Sequence, residues 1–170
     1  MIDKEVGREA NWFSSTDEQT RYYDGSGEVT QEIDECHTLT SVAASDSGGI
    51  QAADYETWVL DTDYYVSPYN YVDLGVPITR LIADWNGDEY KFPHYRKSVK
   101  VVGQFGYSAT PPEDIALACK IQTMRWFSRA KQMYQDQGGG DFAGQMTYAR
   151  NELDPDVKIL LASYKLGNMV

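Results

Sequence analysis

The alternation of apolar and polar residues changes its period once along the chain, near residue 108. Before that point, short runs of β-branched and aromatic residues alternate with polar ones and are broken by Gly, Pro and Asp, which is typical of antiparallel strands. The predicted strands cover residues 29–33, 39–43, 55–60, 78–85, 90–92 and 99–105. Asn86-Gly87 is a common type I′ turn sequence and predicts a hairpin between the fourth and fifth of these strands.

Beyond residue 108 the apolar spacing becomes helical. Thr110, Pro111 and Glu113 have the residue types of a helix start, and neither Gly nor Pro interrupts the chain from there to about residue 135. Apolar residues surround this long helix, so we expect more than one neighbour to bury it, some of them from another subunit. Asp154 and Pro155 predict the start of a shorter helix. Its apolar stripe is Val157, Leu160, Leu161 and Tyr164.

The change of period predicts an α+β protein. A small antiparallel β module covers about residues 19–107, and a helical module with one long and one shorter helix covers residues 108–165. Residues 1–18 form an N-terminal segment with room for a helix stub at 2–10, and residues 166–170 form a C-terminal tail.

Composition and charge narrow the functions that such a protein can have. The chain has 170 residues and a net charge of −11, and it contains no run of Lys and Arg that could hold a phosphate backbone. Residues 1–97 contain 7 Lys and Arg against 19 Asp and Glu, whereas residues 98–170 contain 8 against 7. The acidity therefore belongs to the β module. No apolar stretch is long enough to span a membrane.

Sequence motifs for cofactors and metals are incomplete. Residues 138–144 are glycine-rich, but Gln145 and Met146 follow where a phosphate loop needs Lys and Ser or Thr, so we predict an interhelical loop. The acidic stretches at 61–63 and 84–88 lack the Gly and Glu of a calcium loop, which favours solvated turns. We therefore predict no cofactor and no metal, although adventitious cation binding by these carboxylates stays open.

The cysteines and histidines do not form a catalytic pattern. Cys36 and His37 are adjacent, which is poor spacing for two ligands of one zinc ion, and we expect both histidines to be structural. The N-terminus lacks the apolar region of a signal peptide, so Cys36 and Cys119 are expected to be free thiols in a reducing compartment. No Gly-x-Ser-x-Gly elbow is present. The sequence therefore predicts no enzyme.

Tyrosine and tryptophan are abundant in the β module. A row of exposed rings would stack on sugars and make a carbohydrate-binding module, whereas rings that face protein neighbours would mark an interface, and the second interpretation is favoured. The rings concerned are Trp58, Tyr64, Tyr65, Tyr69, Tyr71, Trp85, Tyr90 and Tyr95.

Four stretches of the chain are distinctive when taken together and in order. They are Arg-Tyr-Tyr-Asp-Gly-Ser-Gly at 21–27, Val-Val-Gly-Gln-Phe-Gly-Tyr at 101–107 followed by Pro-Pro-Glu-Asp-Ile at 111–115, Arg-Trp-Phe-Ser-Arg at 125–129, and Leu-Asp-Pro-Asp-Val at 153–157 continuing to Lys165. In this order and spacing they resemble the head-to-tail connector (adaptor, or head-completion) proteins of long-tailed bacteriophages. The resemblance covers residues 20 to 165. Connectors of this type usually carry helices before the first stretch, and here only 20 residues precede it.

The resemblance implies a virion structural protein without catalysis, located at the head–tail interface and assembled in the host cytoplasm. Such proteins form a homo-oligomeric ring, expected to be a dodecamer, beneath the portal protein. The ring receives a stopper or tail-completion protein and extends the DNA ejection channel, through which DNA passes without specific binding. The residues predicted to face a partner or the channel are Arg125, Arg129, Lys165, Leu166, Met169 and Val170. The alternative is a β-rich, carbohydrate-type binding module with a helical appendage.

Overall fold

The computed structural model describes residues 2–47, 54–87, 89–134 and 153–165, with side chains in the third range described as far as residue 128. The chain divides into two compact units. The β unit is Asn11–Thr110, and the helical unit combines Met1–Ala10 with Pro111–Val170. An antiparallel sheet and one long helix confirm the predicted α+β class. None of the helices in the described residues is both long and apolar enough to cross a membrane.

The β unit is built on one sheet in which neighbouring strands run antiparallel. Its strands are β1 (Glu18–Tyr23), β2 (Thr30–Ala44), β3 (Glu56–Trp58), β4 (Tyr64–Ser67), β5 (Ile78–Ala83) and β6 (Val99–Phe105). The order across the sheet is β1-β6-β2-β5-β4, and β3 pairs with β2 outside this path. The helices are α1 (Ile2–Glu5), α2 (Tyr71–Leu74), α3 (Glu113–Tyr134) and α4 (Pro155–Leu161), with 3-10 turns at Trp12–Ser14 and Ala162–Tyr164.

The central strand, β2, is 15 residues long, where the alternation pattern predicted two strands. Its first part pairs with β5, and its last three residues pair with both β6 and β3. The register against β6 shifts between Cys36 and Thr38 and again between Leu39 and Ser41, so that β2 carries one extra residue at each place. Because such bulges bend a strand without ending it, the two predicted strands are one bent strand.

The hairpin predicted at Asn86-Gly87 is wrong. Gly87 does close a turn by donating its N–H to the Asp84 carbonyl at 3.2 Å, but β5 ends at Ala83 and residues 90–92 form no strand. The reason is that β5 already pairs with β2 along one edge and with β4 along the other, which leaves no edge for a returning strand. Residues 89–98 instead form a loop, whose Phe92 is fully buried in the core.

The core of the β unit receives side chains from five of the strands and from this loop. Alternate residues of β6 are buried, as expected for a strand with one face on the core. The Phe92 ring stacks on that of Trp58, with centroids 4.8 Å apart. The buried cluster comprises Ile33, Cys36, Val42, Ala44, Trp58, Tyr64, Ile78, Leu81, Ala83, Phe92, Val99, Val101 and Phe105.

The turn after β1 fastens that strand to the loop at 89–98. The Asp24 carboxylate accepts a hydrogen bond from the Lys97 N–H at 2.9 Å, and the Tyr55 hydroxyl donates to the Lys97 carbonyl at 2.6 Å. These two bonds hold Lys97 in a left-handed conformation with φ 51°. A Cβ on Gly25 would lie 1.9 Å from the Pro93 carbonyl oxygen, so the close approach of the two segments requires glycine.

In the helical unit, α3 begins at Glu113, later than the predicted cap at Thr110. The Pro112 carbonyl accepts the first helical hydrogen bond, from the Ala116 N–H at 3.0 Å, and so Pro112 takes the capping position. The start predicted for the shorter helix is confirmed. Asp154 caps α4 by accepting from the Asp156 N–H at 3.1 Å, and Pro155 occupies the first turn.

We expect Gly103→Ala to destabilise the β unit by about 2–3 kcal/mol, at the upper end of the cost of overpacking. The new Cβ would lie 2.5 Å from the Thr38 carbonyl oxygen and 2.9 Å from the Cys36 sulfur, and the backbone neighbour cannot rotate away. Gly75→Ala is the matched control, because Gly75 has φ +62° but open space around it. It should cost about 1 kcal/mol of left-handed strain. Urea unfolding of both variants measures this, and an equal or smaller cost for Gly103→Ala would contradict the packing.

Stability should fall at alkaline pH. Burial raises the pKa of the Cys36 thiol to about 11 and that of the Tyr64 hydroxyl to about 12. Both groups ionise at lower pH in the unfolded chain, so unfolding releases protons, and the free energy of unfolding should decline between about pH 9 and pH 12. Below this range these two groups do not change the free energy of unfolding with pH. Cys36→Ala should flatten the decline in urea titrations, and Cys119→Ala, at an exposed thiol, should leave it unchanged. Equal slopes in the two variants would refute the assignment.

Candidate interaction surface

Helix α3 has two faces of different character. Its inner face contains Ile115, Ala118 and Gln122, all less than 5% exposed. Its outer face, defined here as Leu117, Lys120, Met124 and Phe127, lies at positions i, i+3, i+7 and i+10, which form one stripe along a helix. The three apolar members of the outer face are 47%, 70% and 71% exposed. Much of the exposed apolar surface of this helix therefore lies on one stripe, and Trp126, which is 43% exposed, lies outside it.

The inner face of α3 packs against α4. The Gln122 side-chain carbonyl accepts a hydrogen bond from the Asp154 N–H at 3.0 Å, and Arg125 forms an ion pair with the Asp154 carboxylate. Val157 and Leu161 on α4 are fully buried. Asp154 thus caps its own helix and joins it to α3, which fixes which side of α3 is covered.

The connector resemblance implies seven packing residues in the helical segment, and the structure divides them into buried and exposed positions. They are Ile115, Cys119, Trp126, Phe127, Leu160, Leu161 and Tyr164. Ile115 and Leu161 are buried, and Leu160 and Tyr164 are half-buried. Cys119, Trp126 and Phe127 are exposed in the subunit. A covering role for a neighbouring chain at these three positions remains a prediction.

Two of the cations predicted to face a partner or the channel contact acidic groups of their own chain. Arg125 pairs with Asp154, and the Lys165 Nζ lies 3.6 Å from a carboxylate oxygen of Glu5. Arg129 belongs to α3, but its side chain lies outside the described residues. Leu166, Met169 and Val170 also lie outside them, as does the predicted loop at 138–144. That all these residues face a partner or the channel stays a prediction.

The residues of the Arg-Tyr-Tyr-Asp stretch form internal contacts rather than a site. The Arg21 guanidinium lies 4.4 Å from the centre of the Phe105 ring and donates to the Asp34 carboxylate at 2.6 Å. The Tyr23 hydroxyl donates to the same carboxylate at 3.0 Å. Burial is the main cause that raises the pKa of Tyr23. The stretch therefore ties β1 to β2 and β6.

A buried polar contact in the N-terminal segment had no signal in the sequence pattern. Trp12 and Phe13 are buried, and the Trp12 indole N–H donates to the Glu35 carboxylate at 2.5 Å. Gly106, with φ +149°, allows the close approach, because a Cβ there would lie 2.8 Å from the Trp12 carbonyl oxygen. Tyr107 donates its N–H to that carbonyl at 2.8 Å. Two adjacent aromatic residues in an otherwise polar segment were the available clue.

The aromatic residues of the β unit do not form one exposed row. Trp58 and Tyr64 belong to the buried core, and Tyr71 packs against it. Trp85 is 80% exposed, and the other well-exposed rings of the eight are Tyr69, Tyr90 and Tyr95. Three of the eight rings therefore contact the core and are not available to stack on a sugar.

The acidic turns have local partners. The Asp63 carboxylate accepts from the Val59 N–H at 2.6 Å, and that of Asp84 accepts from the Asn86 N–H at 3.1 Å and from the Tyr65 hydroxyl at 3.0 Å. Among the residues that the structure describes, no group of three or more His, Cys, Asp or Glu could hold a metal ion.

One predicted structural histidine is satisfied within the β unit. The Nε2 of His37 donates to the Ser15 carbonyl at 2.8 Å, which leaves Nδ1 to accept from the Thr38 hydroxyl at 2.9 Å. Both cysteines are free, Cys36 buried and Cys119 exposed.

Comparison with known proteins finds similarity only among solved structures. No protein-family model matches the chain, and no curated protein matches it. Among solved structures, the chain is similar to one described as the neck of an empty GTA particle computed with C6 symmetry. The sequence identity is 17% and the TM-score 0.46, covering 99% of this chain and 73% of that chain.

We expect two substitutions of Asp154 to separate the stability that comes from its cap of α4 from the stability that comes from its ion pair with Arg125. Asp154→Asn retains a good helix cap but loses the ion pair with Arg125, which is partly exposed, so it should cost less than about 1 kcal/mol. Asp154→Ala also loses the cap and should cost about 1 kcal/mol more. Thermal unfolding followed by circular dichroism measures both. Equal losses for Asn and Ala would show that the cap does not stabilise α4.

Proposed function

We propose that this protein is a virion structural protein, a head-to-tail connector subunit that forms a homo-oligomeric ring beneath the portal. The ring joins capsid to tail and extends the channel through which DNA leaves. It acts without catalysis, belongs to the head–tail interface of the particle, and assembles in the host cytoplasm. The ordered sequence stretches that resemble connector proteins support this proposal, and they extend over both units.

The outer face of α3 is the observation that carries the proposal. Leu117, Met124 and Phe127 are large apolar side chains exposed along one stripe. An apolar patch of this kind on a soluble chain is typical of a surface that another protein covers. A homo-oligomer supplies that cover with copies of the same chain, and closed rings are a common form of such assembly.

The charge distribution suits a channel through which DNA moves. Residues 1–97 contain 19 Asp and Glu against 7 Lys and Arg. Binding to a DNA backbone draws its affinity from clustered Lys and Arg, so an acidic wall gives passing DNA no strong attachment. We therefore propose that DNA passes through the ring without specific binding.

The proposed partners of the ring are the portal on one side and a stopper or tail-completion protein on the other. We assign the C-terminal residues 166–170 and Arg129 to these contacts. Arg125 and Lys165 could join them only by exchanging their present partners, Asp154 and Glu5.

Native mass spectrometry of the full chain, alone and mixed with purified portal, tests the proposal. We expect closed rings, a dodecamer by resemblance, formed alone or on the portal. A strict monomer that also ignores portal would refute the connector function. Binding of the same protein to a glycan array without ring formation would instead support the carbohydrate-binding alternative.

Paired variants test whether the outer face of α3 is required for assembly. Phe127 and Ile159 are apolar helical residues of the helical unit with nearly equal exposure, 71% and 73%. Phe127→Lys places a charge in the outer face and should abolish rings in light scattering while the folded subunit keeps its circular dichroism spectrum. Ile159→Lys, on α4, should leave ring formation intact. Loss of assembly in both variants, or in neither, would contradict the role of the outer face.

A further inference from the structure

A second exposed apolar surface lies in the β unit, between β4 and β5. Residues 68–77 connect these strands and contain α2, and this segment is called the α2 loop below. Tyr71 anchors it by packing against the core, and the Tyr71 carbonyl accepts a hydrogen bond from the Val76 N–H at 3.1 Å. The other large side chains of the loop, those of Tyr69, Val72 and Leu74, are 63%, 72% and 64% exposed.

The α2 loop and the outer face of α3 carry opposite charges. Asp73 is the one charged residue among residues 68–77, and it is exposed between two exposed apolar side chains. Lys120 is exposed within the outer face of α3, and residues 115–134 contain Lys and Arg but neither Asp nor Glu. Each surface therefore presents apolar groups around a charge, negative on the loop and positive on the helix.

Charge determines which of these surfaces can pair. Two α3 outer faces brought together would put two Lys120 side chains into one small interface, and two α2 loops would do the same with two Asp73 side chains. Like charges at an interface disfavour both arrangements, whereas the unlike pairing matches apolar with apolar and cation with anion. The unlike contact repeats from copy to copy, as a ring requires, when the loop and the helix face of each copy engage two different neighbours.

We propose that the α2 loop of one copy docks on the outer face of α3 in the next copy, with Asp73 paired to Lys120. This rests on the proposed ring, and it assigns the occupant of the apolar stripe to a second copy of this chain. Val72 and Leu74 then cover Met124 and Phe127. The contact engages the loop and the helix face of each copy, so the outer face of α3 and the exposed apolar side chains of the α2 loop are buried around the whole ring.

Charge reversal tests the pairing in the full chain. Asp73→Lys and Lys120→Asp should each raise the protein concentration needed for half-assembly at least tenfold, because each creates a like-charge contact. The double variant restores unlike charges and should return within about threefold of the natural chain. Asp114→Lys, an exposed charge reversal in the first turn of α3 but away from the stripe, is the control and should assemble normally.

Site-directed crosslinking identifies the contact itself. In a Cys119→Ser background, copies carrying Val72→Cys are mixed with copies carrying Met124→Cys and oxidised; Val59→Cys, also exposed, replaces Val72→Cys in the control. We expect the mixed Val72–Met124 crosslink and no crosslink from the Val59 control. A Met124–Met124 crosslink, a crosslink within one chain when both cysteines are in it, or no crosslink in assembled rings would overturn the proposal.

Assembly of the natural chain, compared with that of the charge-reversed variants, distinguishes failure of the α2 loop contact from failure of the proposed ring. Rings that persist unchanged in both single reversals refute the α2 loop contact and leave the connector function standing. A natural chain that stays monomeric with and without portal refutes the ring, and the docking of the loop falls with it.

Discussion

Strand pairing along both edges of β2 and of β5 determines the architecture of the β unit. β2 is long enough to pair with β5 along its first part and with β6 and β3 along its last. It can do so because two bulges bend it and because Gly103 lets β6 approach its backbone closely. β5 is itself paired on both edges, so no later segment can add a strand beside β5, and β6 joins the sheet beside β2 instead.

The loop at 89–98 and the α2 loop both follow from this pairing. The chain that leaves β5 cannot return as a strand beside β5, and the loop at 89–98 instead buries Phe92 against Trp58. The connection between β4 and β5 must bridge two paired strands, and it does so through a single helical turn anchored by Tyr71. A four-residue helix can turn only part of its surface toward the core, and its remaining apolar side chains consequently face outward.

The sequence predicted local structure well where a single period or a cap was decisive. The bounds of β6, the start of α4 at Asp154 and the course of α3 could all be read from residue types. Prediction failed where tertiary pairing outweighed local preference: Asn86-Gly87 closes a turn but lacks a free strand edge beside it. The apolar excess of α3 was predictable from its composition, but which stripe stays exposed depends on where α4 packs. That packing is a property of two distant segments, which no local pattern encodes.

The residues that carry the resemblance to connectors are mainly internal. Arg21 and Tyr23 share Asp34, Gly25 lies against the loop at Pro93, and Asp154 joins two helices. Such residues specify a scaffold, because each permits a close backbone approach or joins two elements of the fold. Apart from Phe127, the surfaces proposed for assembly are made of other residues, whose constraint is to be apolar or to carry the complementary charge. Two chains could therefore share this scaffold and still fail to assemble with each other, since the choice of neighbour depends on side chains that the scaffold leaves free to vary.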